Sequence, residues 1–382
     1  MQEIGIVGGG FSGTMVAVNL VRFAKIPCRV TIVNAGRPFV RGAAYGTKRL
    51  EHLLNVAARN MSAFPDRPNH FIEWLQTRSD FDHVPFEILK ESFVPRRIYG
   101  DYLGSIAHGH FQSSDGEGDY VQVRRVAARV VDLEGIENQR ARVSLDDGSC
   151  LVADQVVLAT GNQKPAAFEG PNGPFRHPAY CDDPWEDWES KLPASTADVV
   201  LLGTGLTMVD LFLHLRALNW KGTIHAVSRN GLLPESHFRG IDYPDYLEAR
   251  PRLHRLEDVV KIVESHCEIL RDMGQNPAIA VDKLRSHTQR LWKGLTIEDK
   301  LEFIKTYSAK WNTLRHRIAQ SIHQELMLAL EDGRLVIHRG AVKELRDSGP
   351  RVQVITQDKS GLISSLEGGF VVNCTGPKSR VS

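Results

Sequence analysis

Two glycine-rich turns, far apart in the chain, each follow a short run of strand-forming residues. The first is Gly8-Gly9-Gly10-Phe11-Ser12-Gly13 after Ile4-Gly5-Ile6-Val7, and the second is Gly203-Thr204-Gly205-Leu206-Thr207 after Val199-Val200-Leu201-Leu202. Each glycine of the first turn has a physical task. Gly8 permits a tight exit from the strand, Gly10 lets the backbone approach a diphosphate, and Gly13 lets the following helix pack close to the sheet. A helix that starts there presents free N–H groups and a partial positive charge to phosphate oxygens. One such turn arises readily by chance. Two in strand-turn-helix context predict a chain that holds two dinucleotides, a pairing suited to passing electrons from a nicotinamide to a flavin.

The residues around each turn refine that reading. At the end of the second strand, where a carboxylate is expected to accept hydrogen bonds from a ribose, this chain has Asn34, which can accept a bond but carries no charge. In the second turn Gly203 and Gly205 fit, while the third small position is Met208. Just past the next strand comes Ser228-Arg229-Asn230-Gly231. A basic side chain in that place suits a 2′-phosphate, so NADPH is expected rather than NADH; a solvated surface arginine is the alternative. Two further apolar runs end in Thr-Gly turns, Val157-Leu158-Ala159-Thr160-Gly161 and Val372-Asn373-Cys374-Thr375-Gly376. Both are read as support for the first nucleotide site, although each also fits an ordinary strand end.

The elements that must position these residues follow from length and periodicity. A chain of 382 residues can hold two or three domains with full cores. Ile4–Val7, a helix with Met15, Val16, Val18, Leu20, Val21 and Phe23 on its apolar face, and Cys28–Val33 read as one βαβ unit. Residues 36–61 read as a long loop with short helical pieces, and 69–78 as a helix. Residues 121–133 and 141–145 alternate like antiparallel strands, with Asp146-Asp147-Gly148-Ser149 as a turn. The stretch 165–193, rich in Pro, Gly, Trp and Asp, reads as a connector. Val199–Leu202, Met208–Leu218 and Thr223–Val227 form a second βαβ unit, 242–330 is mostly helical, and 334–338, 352–356 and 369–373 are strands. The expected fold is α/β, with two Rossmann-like dinucleotide-binding domains of the three-layer ββα type and a helical insertion. The expected boundaries are 1–180 plus 331–382 for the first domain, 194–241 for the core of the second, and 242–330 for the insertion or cap.

Bulk properties narrow the function. Hydrophobic residues make up 42% and charged residues 24%, as in an ordinary globular protein, and a net charge of +1 gives no electrostatic case for nucleic acid or an anionic membrane. Glu3 and the interrupting glycines argue against a signal peptide, and the most apolar later run, 199–215, carries Asp210 and His214. Five scattered cysteines without a Cys-x-x-Cys spacing fit a reducing cytoplasm rather than a disulfide framework or dithiol centre.

Taken together, nine segments resemble a known group. They are GIVGGGFSG (5–13), RGAAYGT (41–47), HLLNVAARNMSAFPD (52–66), FVPRRIYGDYL (93–103), VVLATGN (156–162), GTGLTMVD (203–210), SRNGLLP (228–234), WNTLRHR (311–317) and VVNCTGP (371–377). The chain is similar to the bacterial FAD/NAD(P)-binding group that includes FAD-dependent urate hydroxylase and aspartate N-monooxygenase, and more distantly to flavin N-hydroxylases. The resemblance implies FAD at Gly8, Gly10, Phe11, Ser12 and Gly13. It places the segment around His52 and Asn55, with Arg96, Arg97 and Tyr99, near the flavin. NADPH would lie over Gly203, Gly205, Thr207, Ser228 and Arg229. Members of the group continue well past the Cys-Thr-Gly-Pro turn with a segment that closes the FAD domain; this chain stops at Ser382, so that segment is expected to be missing.

The activity that the resemblance implies is an NAD(P)H-using flavin monooxygenase, which inserts oxygen from a flavin (hydro)peroxide into a small polar substrate. A reductase without oxygen insertion and a non-catalytic nucleotide-binding remnant are the alternatives. Dioxygen and a small molecule are then the partners, with no nucleic acid or membrane. No residue stands out as a catalytic acid or base. Arg315-His316-Arg317 could bind an anion and move a proton, or form a basic helical face. Trp185 and Trp188 fit packing of the connector better than an aromatic cage. His177 and His237 lack metal-ligand spacing, so no metal is expected.

Overall fold

A computed structural model describes residues 1–112, 120–238, 241–248 and 253–378. The chain divides into two compact units, Met1–Lys164 with Pro377–Ser382, and Pro165–Gly376.

In the first unit, strands β1 (Gln2–Val7), β2 (Cys28–Val33), β3 (Val121–Val126) and β7 (Gln155–Leu158) form a parallel sheet in the order β3-β2-β1-β7. Ile6 and Val30 are fully buried, as a sheet covered on both faces demands. Helix α1 (Phe11–Phe23) buries Gly13, Met15, Ala17 and Val18. An antiparallel meander of β4 (Val130–Ile136), β5 (Arg140–Leu145) and β6 (Cys150–Ala153) completes the layers. Residues 121–133 are therefore not one antiparallel strand. Val121 is buried beside Cys28, so Val121–Val126 joins the parallel sheet, and only the chain after Arg129 enters the meander. Helix α2 (His70–Gln76) appears within the expected range, and a longer helix, α3 (Arg96–Gln112), buries Tyr99, Tyr102, Leu103 and Ile106.

The second unit repeats this plan. Strands β8 (Tyr180–Cys181), β9 (Val199–Leu202), β10 (Ile224–Ser228), β11 (Leu335–Arg339) and β15 (Phe370–Asn373) form a parallel sheet in the order β8-β15-β9-β10-β11. Helix α4 (Leu206–Ala217) follows β9, and an antiparallel set of β12 (Ala341–Ser348), β13 (Arg351–Gln357) and β14 (Ile363–Gly368) lies between β11 and β15 in sequence. The helical stretch supplies α5 (Leu256–Asp272), α6 (Ser308–Arg315) and α7 (Gln320–Glu331), with shorter helices between them. Its own core includes Tyr246, Leu247, Cys267, Leu270 and Leu291.

Two boundaries differ from the sequence reading. Residues 331–376 belong to the second unit, because β15 pairs with β9 and β11 with β10. Phe370, Val371, Val372 and Asn373 are all buried, which suits a central strand and no edge. The connector 165–193 is also part of that unit: Tyr180–Cys181 extends its sheet, and the Trp188 ring packs 4.6 Å from His214 and 6.4 Å from Phe370. Residues 249–252 of the helical stretch and 379–382 lie outside the described residues.

Candidate functional site

The two glycine turns are built on one hydrogen-bond plan. The Gly8 N–H donates to Val33 O at 2.8 Å, and the Gly203 N–H to Val227 O at 2.7 Å. Ala159 N–H donates to Val7 O at 2.8 Å, and Cys374 N–H to Leu202 O at 2.9 Å. Gly8 has φ +108° and Gly203 φ +123°, a region open to glycine. A Cβ at Gly8 would collide with the Ala159 carbonyl; one at Gly203 would meet the Cys374 carbonyl at 2.5 Å. The strand that ends in a Thr-Gly turn thus backs the glycine turn in each unit. Thr160-Gly161 belongs with the first turn as expected. Thr375-Gly376 instead lies beside the second, because β15 is the neighbour of β9.

At the first turn α1 starts at Gly10 with no side chain capping its N-terminus, and Ser12 is exposed there. A Cβ at Gly13 would collide with the Gly8 carbonyl, so that glycine brings helix and strand together. Asn34 does something unforeseen. Its Oδ1 accepts from the Gly9 N–H at 3.0 Å and its Nδ2 donates to Arg37 O at 2.7 Å, so the side chain braces the turn. The following loop lies against the same turn. Val40 donates to Gly9 O at 2.6 Å from a left-handed conformation (φ +74°), and a Cβ on Gly10 would sit 3.5 Å from the Gly42 Cα. A β-branched residue in that region stores about 1–3 kcal/mol of strain, which the close fit of the loop offsets.

Arg41 fastens this loop to the start of α3, donating to Asp101 Oδ1 at 2.5 Å and Arg97 O at 3.2 Å. The Phe11, Tyr45 and Tyr99 rings meet there, with Tyr45 and Tyr99 4.6 Å apart. Burial drives the Tyr99 hydroxyl far above its ordinary pKa, so it stays neutral. His52 is buried with Nδ1 2.8 Å from Thr47 Oγ1. Arg96 is also buried, and its Nε–H donates to Leu53 O at 2.9 Å, a bracing role. Arg97, beside it, keeps its side chain exposed, and Asn55 is half-buried.

The second turn opens on a cavity of about 220 Å³. Helix α4 starts at Gly205, again without a side-chain cap, and nothing lies within 4 Å of where its Cβ would be. Arg229 is exposed, lines the cavity and forms no ion pair among the described residues. Ser228, which lines the same cavity, also holds the turn: its Oγ lies 2.9 Å from Thr204 Oγ1 and accepts from the Gly231 N–H at 3.0 Å. It is the counterpart of Asn34. Thr207 is half-buried in the first turn of α4 and does not line the cavity. Met208 is fully buried in the place of a third glycine.

The opposite wall was not foreseen in detail. Asn312, Thr313 and His316 from α6 and the residue after it line the same cavity. Their spacing puts them on one helical face, a signal present in the segment WNTLRHR. Partial desolvation by its neighbours, helped by the Arg315 and Arg285 cations, lowers the pKa of the surface-exposed His316, so its imidazole is neutral at neutral pH. Arg317 points elsewhere. It is buried, grips Asp282 with two bonds of 2.9 and 3.0 Å, and lies over the Phe238 ring. All five cysteines are free thiols. Among the described residues no three His, Cys, Asp or Glu side chains group as a metal site, and no helix is long and apolar enough to cross a membrane.

Residues 5–163 match the model of a family described as FAD-NAD(P)-binding. No curated protein matches the sequence. Among solved structures, the chain is similar to the ornithine N-hydroxylase of Kutzneria sp. 744, with TM-score 0.65, 14% identity, and coverage of 99% of this chain and 81% of that one. It is similar to the L-lysine 6-monooxygenase of Pseudomonas syringae, with TM-score 0.60, 18% identity, and coverage of 100% and 82%. It is also similar to the cadaverine monooxygenase of Erwinia amylovora, with TM-score 0.60, 14% identity, and coverage of 100% and 79%. At such identities the likeness establishes the fold: α/β, with Rossmann-like parallel sheets.

Proposed function

We propose that the chain is an FAD-dependent, NADPH-using monooxygenase that hydroxylates a small polar molecule. The observation that carries this reading is the repeated turn: in both units a glycine-initiated helix begins with no side chain hydrogen-bonded to its N-terminal N–H groups. That is a cradle for a diphosphate, and a Cβ at Gly205 would stand in the open space above it. The family match over 5–163 supports FAD at the first turn. Its diphosphate would rest on the amides of Phe11, Ser12 and Gly13, with His52, Asn55 and Arg97 toward the flavin end.

NADPH would rest on the amides that open α4. Arg229 would meet the 2′-phosphate, and Asn312, Thr313 and His316 would close the cavity from the other side. When bound, the two dinucleotides supply hydride transfer and activation of dioxygen. The protein's share is to orient them, to exclude water, and to hold a neutral imidazole at His316 that can take a proton. The solved structures named above are an ornithine N-hydroxylase, an L-lysine 6-monooxygenase and a cadaverine monooxygenase, which supports oxygen insertion and an amine as the first substrate class to test. Urate and aspartate, suggested by the sequence resemblance, belong in the same panel.

The test is NADPH oxidation by the FAD-loaded protein under labelled dioxygen with that panel. Label in a hydroxylated product supports the proposal. Rapid NADPH oxidation that reduces an added quinone, with no label in any product, contradicts it and favours a reductase.

A further inference from the structure

We propose that the helical part of the second unit holds a separate site for a small apolar carboxylate, and that helix α6 links this site to the dinucleotide cavity. The second clause rests on the function proposed above; the first does not.

The helices line a second, half-open cavity of about 240 Å³. Its walls include Val263, Val281, Leu291, Trp292, Phe303 and Trp311. The aromatic rings meet edge to face, with Trp292 and Phe303 5.9 Å apart and Phe303 and Trp311 6.3 Å apart. A dry apolar cavity of about 150 Å³ holds benzene, so this space admits a larger ring system or a medium-length acyl chain. Three charged side chains also line it: Arg271, Lys310 and Glu264. All three are exposed, and none forms an ion pair among the described residues. Two cations against one acid favour an anionic head on the apolar body.

Helix α6 is the wall between the two cavities. Ala309, Asn312, Thr313 and His316 face the dinucleotide side, whereas Tyr307, Lys310, Trp311 and Leu314 face the apolar side. The two sets interleave at helical spacing, so a shift of this one helix alters both sites at once. Directly before it, Phe303–Tyr307 forms a single π-helical turn. Such turns are less stable than the α-helix and recur at functional sites. Here it supplies Phe303 and Tyr307 to the apolar wall.

Calorimetric titration of the full chain with decanoate, 2-naphthoate and decan-1-ol tests the site. The expected result is saturable binding of one or both carboxylates, at least about fivefold tighter than the alcohol, as one exposed cation allows. The variant Arg271→Ala/Lys310→Ala, changed only at exposed positions, should abolish that preference and leave alcohol binding unchanged. Val281→Phe should weaken every probe by filling the space. No saturable binding of either carboxylate to the parent chain overturns the proposal, as does an unchanged carboxylate preference in the double variant.

The link is read by titrating NADP⁺ with and without the bound carboxylate. Its affinity should change by about fivefold or more, and by reciprocity NADP⁺ should change carboxylate affinity by the same factor. Independent binding at the two sites overturns the link. Carboxylate binding without any NADP⁺ binding leaves the site standing, and refutes both the link and the proposed use of NADPH.

Discussion

Replacing Gly205 by valine separates the nucleotide role of the second turn from its structural one. Gly205 has φ −85° and ψ −167°, a conformation any residue adopts, and no atom lies within 4 Å of its Cβ direction. The folded chain should therefore tolerate valine at a cost below about 1 kcal/mol, the scale of an N-cap preference. The side chain would occupy the space that the α4 amides face. Losing two amide bonds to a charged phosphate, each worth about 1.5–3 kcal/mol, costs about 3–6 kcal/mol, or about 10²–10⁴-fold in NADP⁺ affinity. Gly203→Ala is the contrast. With φ +123° and a carbonyl oxygen 2.5 Å from the new Cβ, it should destabilise folding by about 2–4 kcal/mol. Urea unfolding and NADP⁺ titration of both variants provide the assay. NADP⁺ affinity within about threefold of the parent in Gly205→Val, at intact stability, would refute the reasoning.

Other predictions concern single side chains. Arg229→Ala should weaken NADPH by about 10–100-fold, the worth of one charge-assisted contact, and leave NADH unchanged; equal losses in a binding assay would contradict the 2′-phosphate role. Asn34→Asp should lower stability by about 1–3 kcal/mol, because a carboxylate oxygen would face the Arg37 carbonyl now 2.7 Å from Nδ2; a stability gain by urea unfolding would show that the turn wants charge. Arg317→Ala should cost about 1–3 kcal/mol by removing two charged hydrogen bonds from half-buried Asp282, which keeps Arg285 Nε 3.3 Å away, whereas exposed Arg315→Ala should stay within about 0.5 kcal/mol on the same assay.

His225 and His338 lie 3.0 Å apart, and burial lowers both pKa values from 6.5. The unfolded chain thus binds more protons, so stability is full above that pH and falls as pH drops through it toward the folded values. Asp198, 3.9 Å from His225, opposes part of this effect. Urea midpoints should decline on acidification in the parent and less steeply in His225→Gln/His338→Gln.

The parts of this architecture that were legible in the sequence are those fixed by local geometry. Gly8 and Gly203 could be read because no other residue fits their turn, and the runs 199–202 and 370–372 because fully buried strand segments are apolar. Strand partners were less visible. Nothing in residues 331–376 says which parallel sheet they enter; that is set by pairing with β9 and β10, a tertiary choice. Helix α3 escaped notice because Gly100, Gly104 and Gly109 lower its intrinsic preference, yet Gly100 is there so that Tyr45 O can approach within 2.6 Å of its Cβ position. Asn34 stands where a ribose-binding carboxylate is expected, and Ser228 opens the segment expected to hold NADPH. Their short polar side chains also brace the adjacent turns, which only side-chain geometry reveals.

On the proposed function, the two glycine turns are separate cradles for two different dinucleotides. Equilibrium dialysis of the purified chain against FAD and NADP⁺, alone and together, tests it most directly. One equivalent of each should bind without competition, and Gly205→Val should lose NADP⁺ alone. Mutual displacement at a single shared site, or retention of only one of the two nucleotides, would contradict it.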